Sequence, residues 1–320
     1  MISSRFETAV IVTRKTELDE LVARFATAAQ ARFYLEHAGQ DFDHIQGAHE
    51  RYKTVLRSVR ASIPSGMKCQ TIDRTSLPQL TFGSDDLVIV VGQDGLVSNT
   101  AKYLSGQPIV AINPDPAVYD GVLLPFTSDT FDKALQKTLA GDADIESVTL
   151  ARTTLTDGQQ LLAFNDFFVG ASSHVSARYE IRIARREEFQ SSSGIIISTG
   201  AGSTGWLQSV YRGAAGVVEA LGGRVISPPN GGRLNWSDEY LVFAVREPFP
   251  SKATGTSIVY GTITPDSPLQ ITSHMSNNGV IFSDGIEADY LHFNHGSVAT
   301  IDIAPHKARL VVGTRSSRHT

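Results

Sequence analysis

Two textures in one chain predict an α/β plus β-rich protein, with an N-terminal three-layer parallel-sheet domain over residues 1–142 and a β-sandwich-like C-terminal domain over 143–320. Up to about Gly141, β-branched runs alternate with segments whose apolar residues recur at three and four. That is β-α order, which calls for a parallel sheet with helices on both faces. Beyond it the apolar runs are short, strand-like and separated mostly by Gly, Pro, Asn or Asp. The length of 320 residues agrees, since one core usually serves about 100–200.

The first strand is the β-branched run 9–12, and Leu18, Leu21, Val22 and Phe25 after it fall on one face of a helix. A second amphipathic helix is expected over 47–60, with Tyr52, Val55, Leu56 and Val59 inward and Glu50, Arg51, Lys53 and Arg57 mostly solvated. Residues 87–91 are unbroken Leu-Val-Ile-Val-Val, the mark of a strand buried on both faces. A glycine-containing turn, a helix over 98–104 and a strand over 109–112 complete a β-α-β unit. In the second domain strands are expected at 161–169, 179–183, 194–198, 240–245, 257–264, 269–272, 279–282 and 298–303. One Ala- and Val-rich helix over 209–221 interrupts them and ends at Gly222-Gly223. The tail 315–320 is polar and expected to fray, and the C-terminal segment can return to the first domain.

Composition narrows the function. Apolar residues make up 41% and charged residues 19%, which fits a globular chain. Lys+Arg of 28 against Asp+Glu of 33 leaves a net charge of -5, so no basic field exists to hold nucleic acid. The single cysteine, Cys69, allows no intrachain disulfide or thiolate cluster. No signal-peptide pattern opens the chain and no apolar run approaches the roughly 18 residues of a membrane span, so a cytoplasmic address without membrane contact is expected. His44 with His49 and His292 with His295 lack a completing ligand at a metal-site spacing and read as ordinary surface or core histidines.

Three segments could carry chemistry. Gly92-Gln93-Asp94-Gly95 follows a buried strand and precedes a helix, the place where open parallel sheets bind ligands and where glycines let backbone N–H groups approach phosphate. Read on spacing alone it serves equally as a strand-helix turn with Asp94 as a cap. Gly202, Ser203, Thr204 and Trp206 lie in a Gly/Ser/Thr turn before the helix of the second domain, a favourable place for an anion or a ribose, or simply a helix cap. Asn165-Asp166 interrupts an apolar run, which points to a ligand or a turn. Ser283-Asp284-Gly285 reads as a hairpin turn that could face a ligand.

Together these segments resemble the NAD kinase family: its Gly-Gly-Asp-Gly motif at Gly92 to Gly95, its Asn-Glu pair at Asn165-Asp166, and its Gly-Ser-Thr-Ala-Tyr loop at Gly202-Ser203-Thr204 with Trp206. Gln107-Pro108-Ile109-Val110-Ala111-Ile112-Asn113-Pro114-Asp115-Pro116, Ser193-Gly194 and Val245-Arg246-Glu247-Pro248 are similar to the mitochondrial-type branch. The resemblance implies phosphoryl transfer from a nucleoside triphosphate, ATP first, to the 2′-hydroxyl of the adenosine ribose of NAD, giving NADP. It implies Asp94 as the catalytic base and Gly92, Gln93 and Gly95 as the phosphate site. Asn165, Asp166, Gly202, Ser203, Thr204 and Trp206 become the NAD site, Mg²⁺ arrives with the donor rather than on protein ligands, and the protein is a homo-oligomer. Three departures stand out: Gln93 for the family's second glycine, Leu96 for its following Thr, and Asp166 for its Glu. Gln93 and Leu96 put side chains where phosphate would approach backbone, so a catalytically impaired NAD(P)-binding protein or sensor is the alternative.

Overall fold

The structure, a computed structural model, describes residues 6–226 and 228–313. The expected frayed tail and residues 1–5 lie outside them. The chain divides into two compact units: one holds the described residues up to Glu146 and again from Arg309, and the other is Ser147–Ala308.

The first unit runs β1 (Thr8–Thr13), α1 (Glu17–Phe25), α2 (Ala28–His37), α3 (Phe42–Ser62), β2 (Lys68–Asp73), β3 (Asp86–Val91), α4 (Asp94–Ala101), β4 (Pro108–Ile112) and α5 (Ser128–Ala140). Its strands lie in the order β2-β1-β3-β4, all parallel. Arg309 and Leu310 pair in parallel with Pro108 and Ile109. The unbroken apolar run of β3 has its expected cause, because Leu87, Ile89 and Val91 pack with Tyr52 and Val59 of α3 and Phe131 and Leu135 of α5. Val88 and Val90 point the other way and are equally buried. There α4 covers β3 and β4, and its Leu96 and Val97 are buried. Each such side chain contributes about 1.5–3 kcal/mol by leaving water, so the sheet between two helical layers is the stable core of this unit.

Three helices start earlier than their spacing predicts, among them the helix of the second unit, at Trp206 rather than 209. α3 begins at Phe42 because the Asp41 carboxylate accepts the His44 N–H at 3.2 Å, a side-chain cap that lets the helix run on through Gly47. α4 begins at Asp94, inside the Gly92 to Gly95 motif, which places the motif at a helix N-terminus.

The second unit contains β5 (Ile145–Leu155), β6 (Gln160–Ala163), β7 (Asp166–Ala171), β8 (Ala177–Ile183), β9 (Arg186–Ser192), β10 (Ile195–Ser198), α6 (Trp206–Ala220), β11 (Leu241–Val245), β12 (Tyr260–Ile263), β13 (Leu269–Ser273), β14 (Gly279–Ser283), β15 (Ile286–His292) and β16 (Val298–Val311); the first two residues of β5 and the last residues of β16 belong to the first unit. One sheet places β5 between β6 and β16 and continues β16-β13-β8-β9, and the other has the order β12-β11-β10-β7-β14-β15. Tyr179, Ile181, Ile271 and Ile301 of the first sheet pack against Phe167, Val169, Ile197, Phe243 and Ile281 of the second in one core. This is a β-sandwich. The strand expected over 161–169 is two strands, because the chain turns at Phe164-Asn165 and leaves β6 for β7 in the opposite sheet.

Candidate functional site

In the first unit the phosphate-loop candidates sit where β3 hands over to α4. Gly92 is buried, and a Cβ on it would stand 2.8 Å from Leu96 Cδ2, so any side chain there would have to displace the Leu96 methyl from inside. That corrects one expectation: Leu96 lies beneath the loop, 4% exposed, and does not block its open side. Gln93 is the N-cap residue of α4 without a side-chain capping bond, and its carbonyl accepts the Leu96 N–H at 2.8 Å. Its side chain instead reaches Arg14, whose Nη1 donates to Gln93 Oε1. Gly95 is exposed, with open space where a Cβ would be. Asp94 is the first helical residue, and its Oδ1 accepts the Leu123 N–H at 2.6 Å. The loop that supplies Leu123 is shaped by Gly121, whose φ of 66° and tight approach to Asn113 Nδ2 admit no side chain. Helix-start N–H groups beside an anchored carboxylate suit an anion and a proton acceptor at once.

Arg14 was not among the sequence candidates. It follows β1, and because β1 and β3 are parallel neighbours paired through Val12 and Val90, their C-terminal ends open on the same edge of the sheet. Its backbone N–H donates to the Tyr52 hydroxyl at 3.2 Å, and that hydroxyl donates to Val91 O at 3.0 Å. Burial pushes the Tyr52 phenol up to about 12, so it remains a proton donor. Arg14, Gly92 and Gln93 line a cavity of about 240 Å³ with His44, His49, Tyr119 and others.

In the second unit Asn165 lies in the turn from β6 and Asp166 opens β7, and the pair is held from two sides. Asp284 accepts three backbone N–H groups with its carboxylate: Phe164 at 3.1 Å, Asn165 at 2.6 Å and Asp166 at 3.3 Å. Its own N–H returns to Asp166 O at 2.9 Å. Asp284 and Gly285 have φ of 54° and 69°, the left-handed pair that a tight hairpin between β14 and β15 needs. From the other side Thr199 Oγ1 donates to Phe164 O at 2.6 Å, and the Thr199 N–H donates to Asn165 O at 2.9 Å. A Cβ on Gly202 would fall 2.1 Å from Asn165 O, so the loop before α6 closes on the turn only through glycine. Burial, with the charge of Asp284 beside it, pushes the Asp166 carboxyl up to about 7. A carboxyl there is close to half protonated at neutral pH and can donate as well as accept a hydrogen bond.

The remaining loop candidates divide by direction. Ser203 is fully buried, and its hydroxyl donates to Gly200 O at 2.7 Å while accepting the Leu234 N–H at 3.0 Å, so it holds the loop rather than facing outward. Thr204 is exposed. Trp206 is half-buried, stacked on Phe168 with centroids 5.8 Å apart, and carries the Arg246 guanidinium 5.4 Å from its ring centre. These side chains line a cavity of about 600 Å³ with Phe282, Tyr290 and His292. The structure therefore joins Asn165, Asp166, Gly202 and Ser203 in one construction with Thr199 and Asp284, while Trp206 lines its cavity with Phe168 and Arg246 and without Asn165 or Asp166; sequence reasoning assigned neither Thr199 nor Arg246 to the site.

No family model matches the chain. Among curated proteins it is 29% identical over 167 residues to the NAD kinase of Clostridium kluyveri, covering 49% of this chain and 54% of that protein. Against mitochondrial NAD kinase 2 of Rattus norvegicus it is 26% identical over 269 residues, 66% of this chain and 62% of the relative. The chain is a relative of the NAD kinases. Its matches span about half to three fifths of those relatives' length. The fold is likewise that of solved NAD kinases. Yeast NADH kinase complexed with NADH superimposes with a TM-score of 0.58 at 16% identity, over 98% of this chain and 88% of that one. An NAD kinase from Archaeoglobus fulgidus in complex with ATP gives 0.52 at 16%, over 95% and 93%. Set beside NAD kinase motifs, the three departures differ in kind: Leu96 faces the core, Asp166 is enclosed by its turn, and Gln93 alone reaches into the open cavity.

Proposed function

We propose that the chain is an NAD kinase, which moves a phosphoryl group from a nucleoside triphosphate to the 2′-hydroxyl of the adenosine ribose of NAD. The observation that carries this is Asp94, a carboxylate anchored through one oxygen by the Leu123 N–H at the start of α4. The names of its relatives, and the NADH and ATP bound by proteins of the same fold, support the choice of substrates. In the proposed reaction Asp94 takes the hydroxyl proton as the oxygen forms its bond to the terminal phosphorus. The bond from that phosphorus to the bridging oxygen breaks, and a nucleoside diphosphate leaves. The N–H groups at the start of α4 stabilise phosphate charge. Asn165 and Asp166 hold the adenosine moiety, with Trp206 as a wall.

Mg²⁺ belongs with the donor. Among the described residues no group of three or more His, Cys, Asp or Glu is gathered to hold a metal. Asp94, within the phosphate loop, would supply at most one carboxylate to an ion whose other ligands are phosphate oxygens and water. When bound the ion would neutralise charge on the triphosphate. Among the described residues no helix is long and apolar enough to cross a membrane. A cytoplasmic homo-oligomer completes the proposal. The test is NADP formation by the purified protein with Mg²⁺ and ATP, other triphosphates or polyphosphate. Tight NAD binding with no NADP from any donor would replace the kinase by a dinucleotide sensor.

A further inference from the structure

We infer that Arg14 is a polyphosphate-binding residue of this chain, presented by Gln93. The inference deepens the kinase reading, on which it relies for the source of the phosphate but not for the site. Arg14 has two side-chain partners, and both are neutral: Nε donates to Lys15 O at 3.3 Å, and Nη1 donates to Gln93 Oε1. Among the described residues it makes no ion pair. The acidic and histidine side chains lining the cavity are Asp115, His44, His49 and Glu17. Asp115 is engaged by Arg51 at 2.7 Å, His49 Nδ1 is 2.7 Å from Thr16 Oγ1, and Glu17 is exposed. A guanidinium aimed by an amide carbonyl keeps its full charge and most of its five donors for an anion, in the planar fork that phosphate oxygens match.

Its location supplies the rest. Arg14 shares the cavity with Gly92 and Gln93, at the N-terminus of the eight-residue α4, where backbone donors already favour negative charge. Gln93 is the position at which the chain departs from the glycine of the resembled motif. Its backbone N–H is kept, and its side-chain carbonyl fixes a cation over the same loop. The departure thus adds an oriented guanidinium beside the loop. The ligand chemistry is a chain of phosphates, whether the triphosphate of a nucleotide or inorganic polyphosphate.

Calorimetric titration of inorganic tripolyphosphate, and separately of ATP, into wild type, Arg14→Gln and Gln93→Ala tests this without any turnover. Arg14→Gln is expected to weaken both ligands about tenfold or more, and Gln93→Ala severalfold, because the charge stays but loses its aim. A loss confined to tripolyphosphate supports the site with an inorganic donor. A loss confined to ATP overturns it, as does unchanged affinity in Arg14→Gln or a wild type that binds neither ligand. Should circular dichroism show Arg14→Gln unfolded, Gln93→Ala decides, and unchanged affinity there overturns the inference. NADP formation is read separately. A protein that makes no NADP yet loses tripolyphosphate binding in Arg14→Gln refutes the kinase and keeps this site, and the reverse pattern does the opposite.

Discussion

Asp94 carries a hydrogen bond that an amide oxygen can also accept, since the Leu123 N–H points at Oδ1. Asp94→Asn therefore keeps the anchor and the volume while removing the proton acceptor. Turnover should fall by about 10²–10⁴, the usual worth of a general base, with the thermal transition unmoved. Steady-state NADP formation alongside calorimetry checks both halves, and near-normal turnover would take the base role from Asp94. Asn165→Ala is expected to weaken NAD binding by about 1–3 kcal/mol through lost hydrogen bonds to a desolvated ligand, read by titration calorimetry. The identity of such residues was legible because glycines and carboxylates at a strand end have few other uses. Direction was not legible. Leu96 and Ser203 belong to motifs yet face the interior, while Arg14 and Asp284 gain their importance from partners 79 and 118 to 120 residues away. Residue type and spacing along the chain do not encode contacts of that range.

At the scale of elements, the Asn165 turn is a product of the β14–β15 hairpin. One carboxylate on a left-handed turn replaces the strand partners that Phe164, Asn165 and Asp166 give up when the chain leaves one sheet for the other. Asp284→Ala orphans these N–H groups in a half-buried place and should cost about 1–3 kcal/mol of stability. It should also weaken NAD binding, because the side chains at the turn lose their fixed platform. Urea unfolding and calorimetry test the pair, and an unchanged NAD affinity in a destabilised variant would mean that the turn does not position the ligand. The same logic explains which elements could be read. β3 and β4, buried on both faces, announce themselves as unbroken apolar runs. α5 is not among the expected helices, although Phe131, Ala134, Leu135 and Thr138 carry helical spacing. By contrast α2 exposes Phe33 and Tyr34, and β9 begins with Arg186, Glu187 and Glu188, so apolar pattern and structure part company there. Side-chain caps such as Asp41, rather than periodicity, set where α3 begins.

For the whole molecule, the enclosure of Asp166 is a liability that depends on pH. Its carboxyl is raised from the ordinary 3.8 to about 7 by burial and by Asp284, so over that interval the folded protein holds a proton that the unfolded chain has released. Stability must then fall as pH rises from about 4 to about 7 and level off above, a total on the order of 4 kcal/mol at about 1.4 kcal/mol per unit. Glu188 has the opposite sign. Although partial burial opposes it, hydrogen bonds from Ser257, Gln190 and Ile258 hold it at about 2, below the ordinary 4.5, so its contribution is present above 4.5 and is lost only as pH falls toward 2. The two windows do not overlap, which isolates Asp166 between pH 4.5 and 8. Asp166→Asn removes the ionisable group while keeping a hydrogen-bond donor and nearly the same volume. Chemical denaturation should find the variant close to wild type at pH 4.5 and progressively more stable than it up to about pH 8, with the gap opening through the interval in which Asp166 titrates. Parallel stability profiles for the two proteins would show that Asp166 ionises in the folded state as it does in water, and that its turn is open to solvent rather than closed over it.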